Sequence, residues 1–349
     1  MTPPTPHDTA ADTTVGTEVG TDVGTAVDTE AVARSVAAEH GLVLRGPAGE
    51  GVDFVVHRVG RPGLGDAVLR IPRHRQYLSP YGDVGSAALV RQEHAIAAHL
   101  GPLGLPVATP LRQIERPDGL LVSLAAHVEH DDVPLDGRDV GRFLAALHAA
   151  TPPRTPLAYQ APGDFTGFFV KRLGDRHANL RRAAPSLPPL PAPLRVTAAL
   201  EAVRTPHRLL HLDVRRQNLL SRGGRLQAVV DWSNALIGPP LMELARVAEY
   251  ALLPDNGIDA SEVLAGYAES TAVPDLESPA ALLYRLDTAI MLALVFHSVA
   301  PDAERAKILT GRAEHLLGLL HTAGNPARPV RPVTVAGPST THDRGERQH

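Results

Sequence analysis

Cysteine is absent from the 349 residues, so disulfides and thiolate metal sites are excluded, and a reducing cytoplasmic setting is compatible. Lysine is nearly absent. Lys171 and Lys307 are the two in the chain, which leaves arginine as the permanent side-chain cation everywhere before residue 171. Any phosphate clamp in the amino-terminal half must therefore be an arginine, whose planar fork bridges two phosphate oxygens or a phosphate and a carboxylate. Positive charge is not in excess: a net charge of -4 gives no support to a nucleic-acid partner, which needs a basic stripe. Long apolar runs are missing as well. The longest, near Ala289–Phe296, is far short of a membrane span, and no basic segment leads into an apolar one at the start of the chain. The expectation is a soluble, cytoplasmic, monomeric protein with no membrane or nucleic-acid partner. At 44% hydrophobic residues the chain is long enough for two lobes with separate cores.

What is present is a set of oxygen donors at telling intervals. Asp213 follows His211-Leu212, Asn218 comes five residues later, and Asp231-Trp232 thirteen beyond that. Phosphoryl transfer from a nucleotide needs one carboxylate to orient a hydroxyl and further oxygens to hold magnesium, so Asp213 is the candidate catalytic residue and Asn218 and Asp231 the candidate metal ligands. Between the two ligands lie the run Asn218–Ser221, Gly223-Gly224 and the run Leu226–Val230. Paired glycines between short strand-like runs predict a tight hairpin, because both positions tolerate positive φ. The hairpin brings Asn218 at its entrance beside Asp231 at its exit. Singly, each residue also reads as a turn, strand-edge or capping residue; jointly, they read as a nucleotide-phosphate site.

The segment from His211 to Leu220, and the segment Val229-Val-Asp231-Trp-Ser-Asn-Ala-Leu-Ile-Gly238-Pro-Pro240-Leu-Met-Glu243-Leu-Ala, resemble the catalytic and metal segments of the aminoglycoside phosphotransferase family. The resemblance spans roughly residues 31 to 320. It implies an α+β, two-lobed, protein-kinase-like fold, with a small β-sheet N-lobe carrying one or two helices and a larger, mainly helical C-lobe. Ala38-Glu-His-Gly41-Leu-Val-Leu-Arg-Gly46-Pro, Asp53-Phe-Val-Val and Val68-Leu-Arg70-Ile-Pro72-Arg73 are most similar to the macrolide phosphotransferase branch. Two departures stand out. Leu212 occupies the usual glycine position of the His-Gly-Asp loop, and Gly238-Pro239-Pro240 with Glu243-Leu244 replaces the family's Gly-Asp-Pro and Asp-Leu. Macrolide enzymes also often carry histidine at the place of Asn218.

Along the chain, residues 1–28 and 324–349 read as low-complexity tails too poor in apolar residues to fold. Residues 29–125 form the expected N-lobe, 126–136 the hinge and 137–323 the C-lobe. Asp28 or Thr29 caps a helix that stops at Gly41, and strand-like runs follow at Leu42–Leu44, Val52–Val59 and Ala67–Ile71. Gly49 and Gly51, between the first two runs, belong to a glycine cluster able to fold over phosphates, though it lacks the GxGxxG spacing. Leu89, Glu93, Ile96 and Leu100 share one face of a helix over 86–100, where a glutamate needs a partner. Arg70, at the end of the third run, is the predicted partner, giving the strand-cation to helix-carboxylate pair that positions nucleotide phosphates. Asp139 is the predicted cap of the next helix. Further helices are expected over 165–180, 241–253, 261–270, 280–299 and 303–320, with the proline-rich stretches 152–162 and 185–193 as linkers.

The expected activity is transfer of the γ-phosphate of ATP or GTP, with Mg2+, to a hydroxyl of a small molecule. Macrolide and aminoglycoside antibiotics are the first candidates, which would make the protein a resistance enzyme. Leu283, Leu286, Ile290 and Phe296 read chiefly as core and otherwise as an apolar wall for the former; Glu249, Asp255, Asp259, Glu262 and Asp287 offer an acidic rim for the latter. A metabolite kinase of the same family and a non-catalytic, nucleotide-binding pseudokinase are the alternatives.

Overall fold

The computed structural model describes residues 26–323 apart from 52, 62, 64, 80, 81 and 162. The expected tails over 1–25 and 324–349 lie outside the described residues. Residues 26–28 join the fold: Ala26 bridges to His74, and Asp28 accepts the Ala31 N–H to cap α1, Thr29–Glu39.

Five strands make one antiparallel sheet: β1 (Val43–Glu50), β2 (Phe54–Arg61), β3 (Gly65–Pro72), then, after a small hairpin of β4 (Gln76–Ser79) and β5 (Gly82–Gly85), β6 (Pro110–Glu115) and β7 (Leu121–Ala126). The order is β1-β2-β3-β7-β6, so β7 inserts between β3 and β6 and sets Ser123 opposite Arg70. The first run extends through the glycine cluster, which is strand rather than free loop. Bulges between Leu44 and Gly46 and between Pro47 and Gly49 absorb its irregular residues. Val32, Ala33, Val36 and Ala37 of α1 pack with Val59, Ala67, Leu69 and Ile71 in one core cluster, closing one side of the sheet. α2 (Ser86–Leu100) buries Leu89, Glu93, Ile96 and Leu100, the face its periodicity predicts.

Residues 127–136 carry neither helix nor strand and lead into α3 (Gly137–Ala149). Its cap is Asp136, which accepts the Arg138 N–H; Asp139 sits instead in the first turn, buried and paired with Arg142 and Arg225. The helical region continues with α4 (Phe165–Ala183) and α5 (Pro193–Glu201), the latter starting inside the expected linker with a proline at its first position. A short strand, β8 (Arg208–Leu210), precedes the hairpin of β9 (Leu219–Arg222) and β10 (Arg225–Val229). The turn is the expected one, with Gly223 at φ 55° and Gly224 at φ 76°. β11 (Leu236–Gly238) pairs antiparallel with β8, and α6 (Pro240–Tyr250), α7 (Ala260–Ala268), α8 (Pro279–Leu294) and α9 (Ala303–Ala323) complete the region.

Pro279–Ser298 is long and apolar enough by length and composition to cross a membrane, but it is the central core helix. Leu283, Leu286, Ile290 and Phe296 are buried against α4, α5, α6 and α9 residues. Its last turn, Val295–Val299, is π-helical.

Candidate active site

Arg70, near the end of β3, points at α2, and its Nη2 donates to Glu93 Oε1 at 2.9 Å. The guanidinium lies 4.7 Å above the Phe54 ring, an apolar and quadrupolar face that tolerates a cation leaving water. Neighbouring Gln92 bolts α2 to the segment after Asp231: its Nε2 donates to the carbonyls of Trp232 (2.6 Å) and Ser233 (3.1 Å). Ser233 Oγ donates to Glu93 Oε1 at 3.1 Å. These bonds join the sheet, α2 and the segment around Asp231, and they set Asp231 Oδ1 3.7 Å from Arg70 Nη2.

The loop carrying Asp213 is held as tightly from the other side. Glu243, in the first turn of α6, is buried and accepts two backbone N–H groups, from His211 at 2.8 Å and Leu212 at 2.7 Å. Its Oε2 also lies 3.4 Å from His148 Nε2. Burial pushes the carboxyl up, but the hydrogen bond from His148, the electrostatic pull of His148 and His211 and the Leu212 N–H together hold it below its ordinary value. The glutamate that stands in place of the family's aspartate is thus the anchor of the loop. Asp213 N–H donates to His211 Nδ1 at 3.1 Å, which leaves Nε2 as the protonated nitrogen, donating to the Val230 carbonyl at 2.9 Å. Leu212 and Asp231 both hold positive φ, 59° and 64°, the two non-glycine residues to do so among the described residues.

Asp213 is 2% exposed. Its Oδ2 accepts from Asn218 Nδ2 at 2.7 Å and Arg215 Nε at 3.2 Å, and its Oδ1 from the Tyr250 hydroxyl at 3.1 Å. Asn218 Nδ2 also donates to the Asp213 carbonyl at 2.9 Å, so the amide nitrogen faces Asp213 and the amide oxygen is turned elsewhere. The Val230 N–H donates to the Asn218 carbonyl at 3.0 Å, which fixes the hairpin ends side by side.

Carboxylates outnumber cations here. Burial, then Asp231 and Glu93, push Asp53 up to about 8 against the pull of Arg70. Burial likewise pushes Glu93 up to about 7, with Arg70 opposing and Asp231 adding to it. Asp231 Oδ1 is buried without a hydrogen-bond partner, Arg70 being beyond hydrogen-bond length. A hard cation fits such a donor set: it would satisfy the orphaned oxygen, take the free oxygen of the Asn218 amide and relieve the crowded negative charge. Among the described residues no three His, Cys, Asp or Glu side chains cluster as a metal cage, so any ion there would draw its remaining ligands from water and phosphate.

A cleft opens from these residues between the sheet and the β9–β10 hairpin. Gly49 and Gly51 line it with Val56 and Val68 on one side; Leu220 and Val229 line it on the other, and Ala126, His127 and Val128 edge it. All seven residues expected at the site therefore converge: Arg70, Glu93, Asn218, Asp231 and the two glycines on the cleft wall, with Asp213 behind Asn218. Four others escape a reading of the sequence. Gln92, Tyr250 and Arg246 carry no motif. Asp53 sits in a recognisable segment, but the electrostatic influence of Asp231 and Glu93 on it follows only from the tertiary fold. His127 and His130 stand with ring centroids 6.0 Å apart and form no such metal cluster.

The phosphotransferase enzyme family model matches residues 46–282. No curated protein matches the sequence. Among solved structures, the aminoglycoside phosphotransferase APH(4)-Ia is similar at 17% identity and a TM-score of 0.60, over 83% of this chain and 99% of that one. A thermostable mutant of it in ternary complex with ADP and hygromycin B aligns at 18% identity and a TM-score of 0.60, over 83% and 98%. A choline/ethanolamine kinase family protein from Mesorhizobium loti aligns at 18% identity and 0.54, over 84% and 99%. At these identities the structural likeness establishes the protein-kinase-like fold. With the family model covering more than half of its length, the chain belongs to the phosphotransferase enzyme family.

Proposed function

We propose that the protein transfers the γ-phosphoryl group of ATP or GTP to a hydroxyl group of a small molecule. The observation that carries this is the convergence of Arg70, Asn218 and Asp231 on the cleft wall, with Asp213 bonded directly behind Asn218. The base lies between the apolar side chains of Val56, Val68, Leu220 and Val229, with the phosphates directed toward Arg70 under Gly49 and Gly51. Arg70, braced by Glu93, is the phosphate-facing cation in a stretch of chain without lysine. Mg2+, held by the Asn218 amide oxygen and the Asp231 carboxylate, would neutralise charge on the β- and γ-phosphates. Asp213 orients the acceptor hydroxyl and takes its proton as the acceptor oxygen bonds to phosphorus. The bond to the β-phosphate oxygen breaks, and the nucleoside diphosphate leaves with its electron pair.

The side-chain pairing bears on the acceptor. Glu249 is buried under Arg285 and Arg312, Asp287 under Arg172 and Arg176, and Asp255 pairs with Arg305. Asp259 caps α7 and Glu262 accepts the Gly137 N–H. Of the expected acidic rim, Glu249 and Asp287 are buried against arginines and only Asp255, Asp259 and Glu262 stay exposed, while the apolar candidates are core. This favours an acceptor with at most one positive charge, such as a macrolide with its single dimethylamino sugar, over an aminoglycoside. The setting is cytoplasmic and the working unit a monomer.

A screen of macrolides, aminoglycosides and choline with ATP and GTP in parallel, run beside Asp213→Ala, tests the reading. The expected result is phosphorylation of a hydroxyl that Asp213→Ala abolishes while nucleotide-induced thermal stabilisation persists. Near-normal turnover by the variant would remove Asp213 from its role. Transfer confined to aminoglycosides would overturn the charge argument.

A further inference from the structure

The inner face of α6 presents Glu243, Arg246 and Tyr250 at i, i+3 and i+7, all buried, to the loop that carries Asp213. Glu243 holds the loop's backbone N–H groups. Tyr250, two turns on, holds its carboxylate: the phenolic oxygen is 3.1 Å from Asp213 Oδ1. The same oxygen accepts from Arg246 Nε at 3.2 Å and Nη2 at 3.0 Å. A guanidinium has donors and no acceptor, so Arg246 directs the phenolic proton to Asp213. The hydroxyl is thus not a free rotor. It is a donor aimed at one oxygen of the catalytic carboxylate.

That oxygen is the one an acceptor needs. Oδ2 already takes donors from Asn218 and Arg215, so an incoming hydroxyl has Oδ1 to bind, on the side where Tyr250 sits. In this state Asp213 is 2% exposed and stands behind the cleft wall, which includes Arg215, Gln217 and Asn218 but not Asp213 itself. A donor hydroxyl rests on the oxygen that the acceptor's must reach, and the carboxylate is closed off from the cleft.

Resting on the phosphotransferase reading above, we infer that Tyr250 is a positioning residue that occupies the acceptor seat at Asp213 and yields it when the acceptor binds. Its consequence is economy of the donor nucleotide. Without a gate, a water at Asp213 would pass its proton to Oδ1 while its oxygen bonds to the γ-phosphorus and the bond to the β-phosphate oxygen breaks, releasing inorganic phosphate and nucleoside diphosphate. Tyr250 denies water that place; an acceptor molecule, with the binding energy of its whole surface, displaces the hydroxyl where a single water does not.

The test is acceptor-free phosphate release from MgATP and MgGTP by the full chain, compared with Tyr250→Phe, which keeps the ring and removes the hydroxyl. Thermal stabilisation by the same nucleotides is measured on both. The expected result is a rise of about tenfold or more in acceptor-free hydrolysis by Tyr250→Phe, abolished by adding Asp213→Ala, with nucleotide stabilisation retained. Arg246→Gln, which keeps the hydroxyl but loosens its anchor, is expected to move hydrolysis the same way by less, and serves should Tyr250→Phe not fold. Unchanged or lowered hydrolysis with nucleotide stabilisation intact overturns the gate and leaves the phosphotransferase reading standing. No stabilisation of the wild-type protein by either nucleotide removes the donor site, and the gate with it.

Discussion

Leu212 and Asp231 bend the backbone into the left-handed region on either side of one link, the 2.9 Å bond from the His211 ring to the Val230 carbonyl. A left-handed turn at a non-glycine residue costs about 1–2 kcal/mol. Leu212 directly precedes Asp213, and both positive-φ positions are held by bonds made there and by adjacent residues. His211 and Leu212 give their N–H groups to Glu243; Trp232 and Ser233 give their carbonyls to Gln92.

Substitution at Leu212 should therefore invert the usual order of alanine and glycine. Leu212→Ala loses a buried side chain and keeps the left-handed backbone; Leu212→Gly loses the same side chain and relieves it. Both should be less stable than the wild type, and the glycine variant more stable than the alanine variant by about 1 kcal/mol. Urea unfolding of the pair decides it: alanine the more stable of the two would mean that the surroundings do not impose this backbone.

Glu243→Gln should be more damaging than its size suggests. Each carboxylate oxygen accepts one backbone N–H, and an amide must turn its NH2 toward one of these donors. A buried donor left facing another donor costs about 1–3 kcal/mol. The expected outcome is a fall in stability of that size together with a loss of transfer activity, since the loop holding Asp213 is freed. Wild-type stability and turnover in Glu243→Gln would show that the anchor is dispensable.

The metal-free protein should lose stability as the pH rises. Glu93 is pushed up to about 7 and Asp53 up to about 8, from ordinary values of 4.5 and 3.8. Between these limits the folded state binds more protons than the unfolded one, so unfolding free energy declines with increasing pH. Tm measured without divalent cation should fall from about pH 5 to about pH 8, and Asp53→Asn should flatten the decline. Mg2+ with nucleotide should raise Tm most at the upper end. A metal-free Tm that climbs over this range would contradict the raised values of both carboxyls.

The parts of the site legible in the sequence were those encoded by short-range spacing. Gly223-Gly224 forces a tight reversal, and that reversal alone brings Asn218 to Asp231. The scarcity of lysine left arginine as the cation, and helical periodicity placed Glu93 on the buried face where Arg70 meets it. Element ends were less legible. Asp139 was the expected cap of α3, yet Asp136 takes that place because the chain enters the helix three residues earlier, and Asp139 pairs with arginines instead. The glycine cluster around Gly49 is strand because bulges absorb it. α5 begins within a proline-rich stretch because proline suits a first helical turn.

The sequence by itself determined the groups available: oxygen donors at fixed intervals, arginine as the cation before residue 171, no thiol, and a hairpin that sets Asn218 beside Asp231, because each follows from composition or from neighbours within a turn of chain. Only the tertiary structure decided which of the remaining charges are free to act. Glu249 and Asp287 are taken by arginines 36, 63, 115 and 111 residues away, and Tyr250 reaches Asp213 across 37. Whether a carboxylate meets a ligand or an arginine depends on which helices pack together, and packing joins residues whose separation along the chain carries no periodic signal.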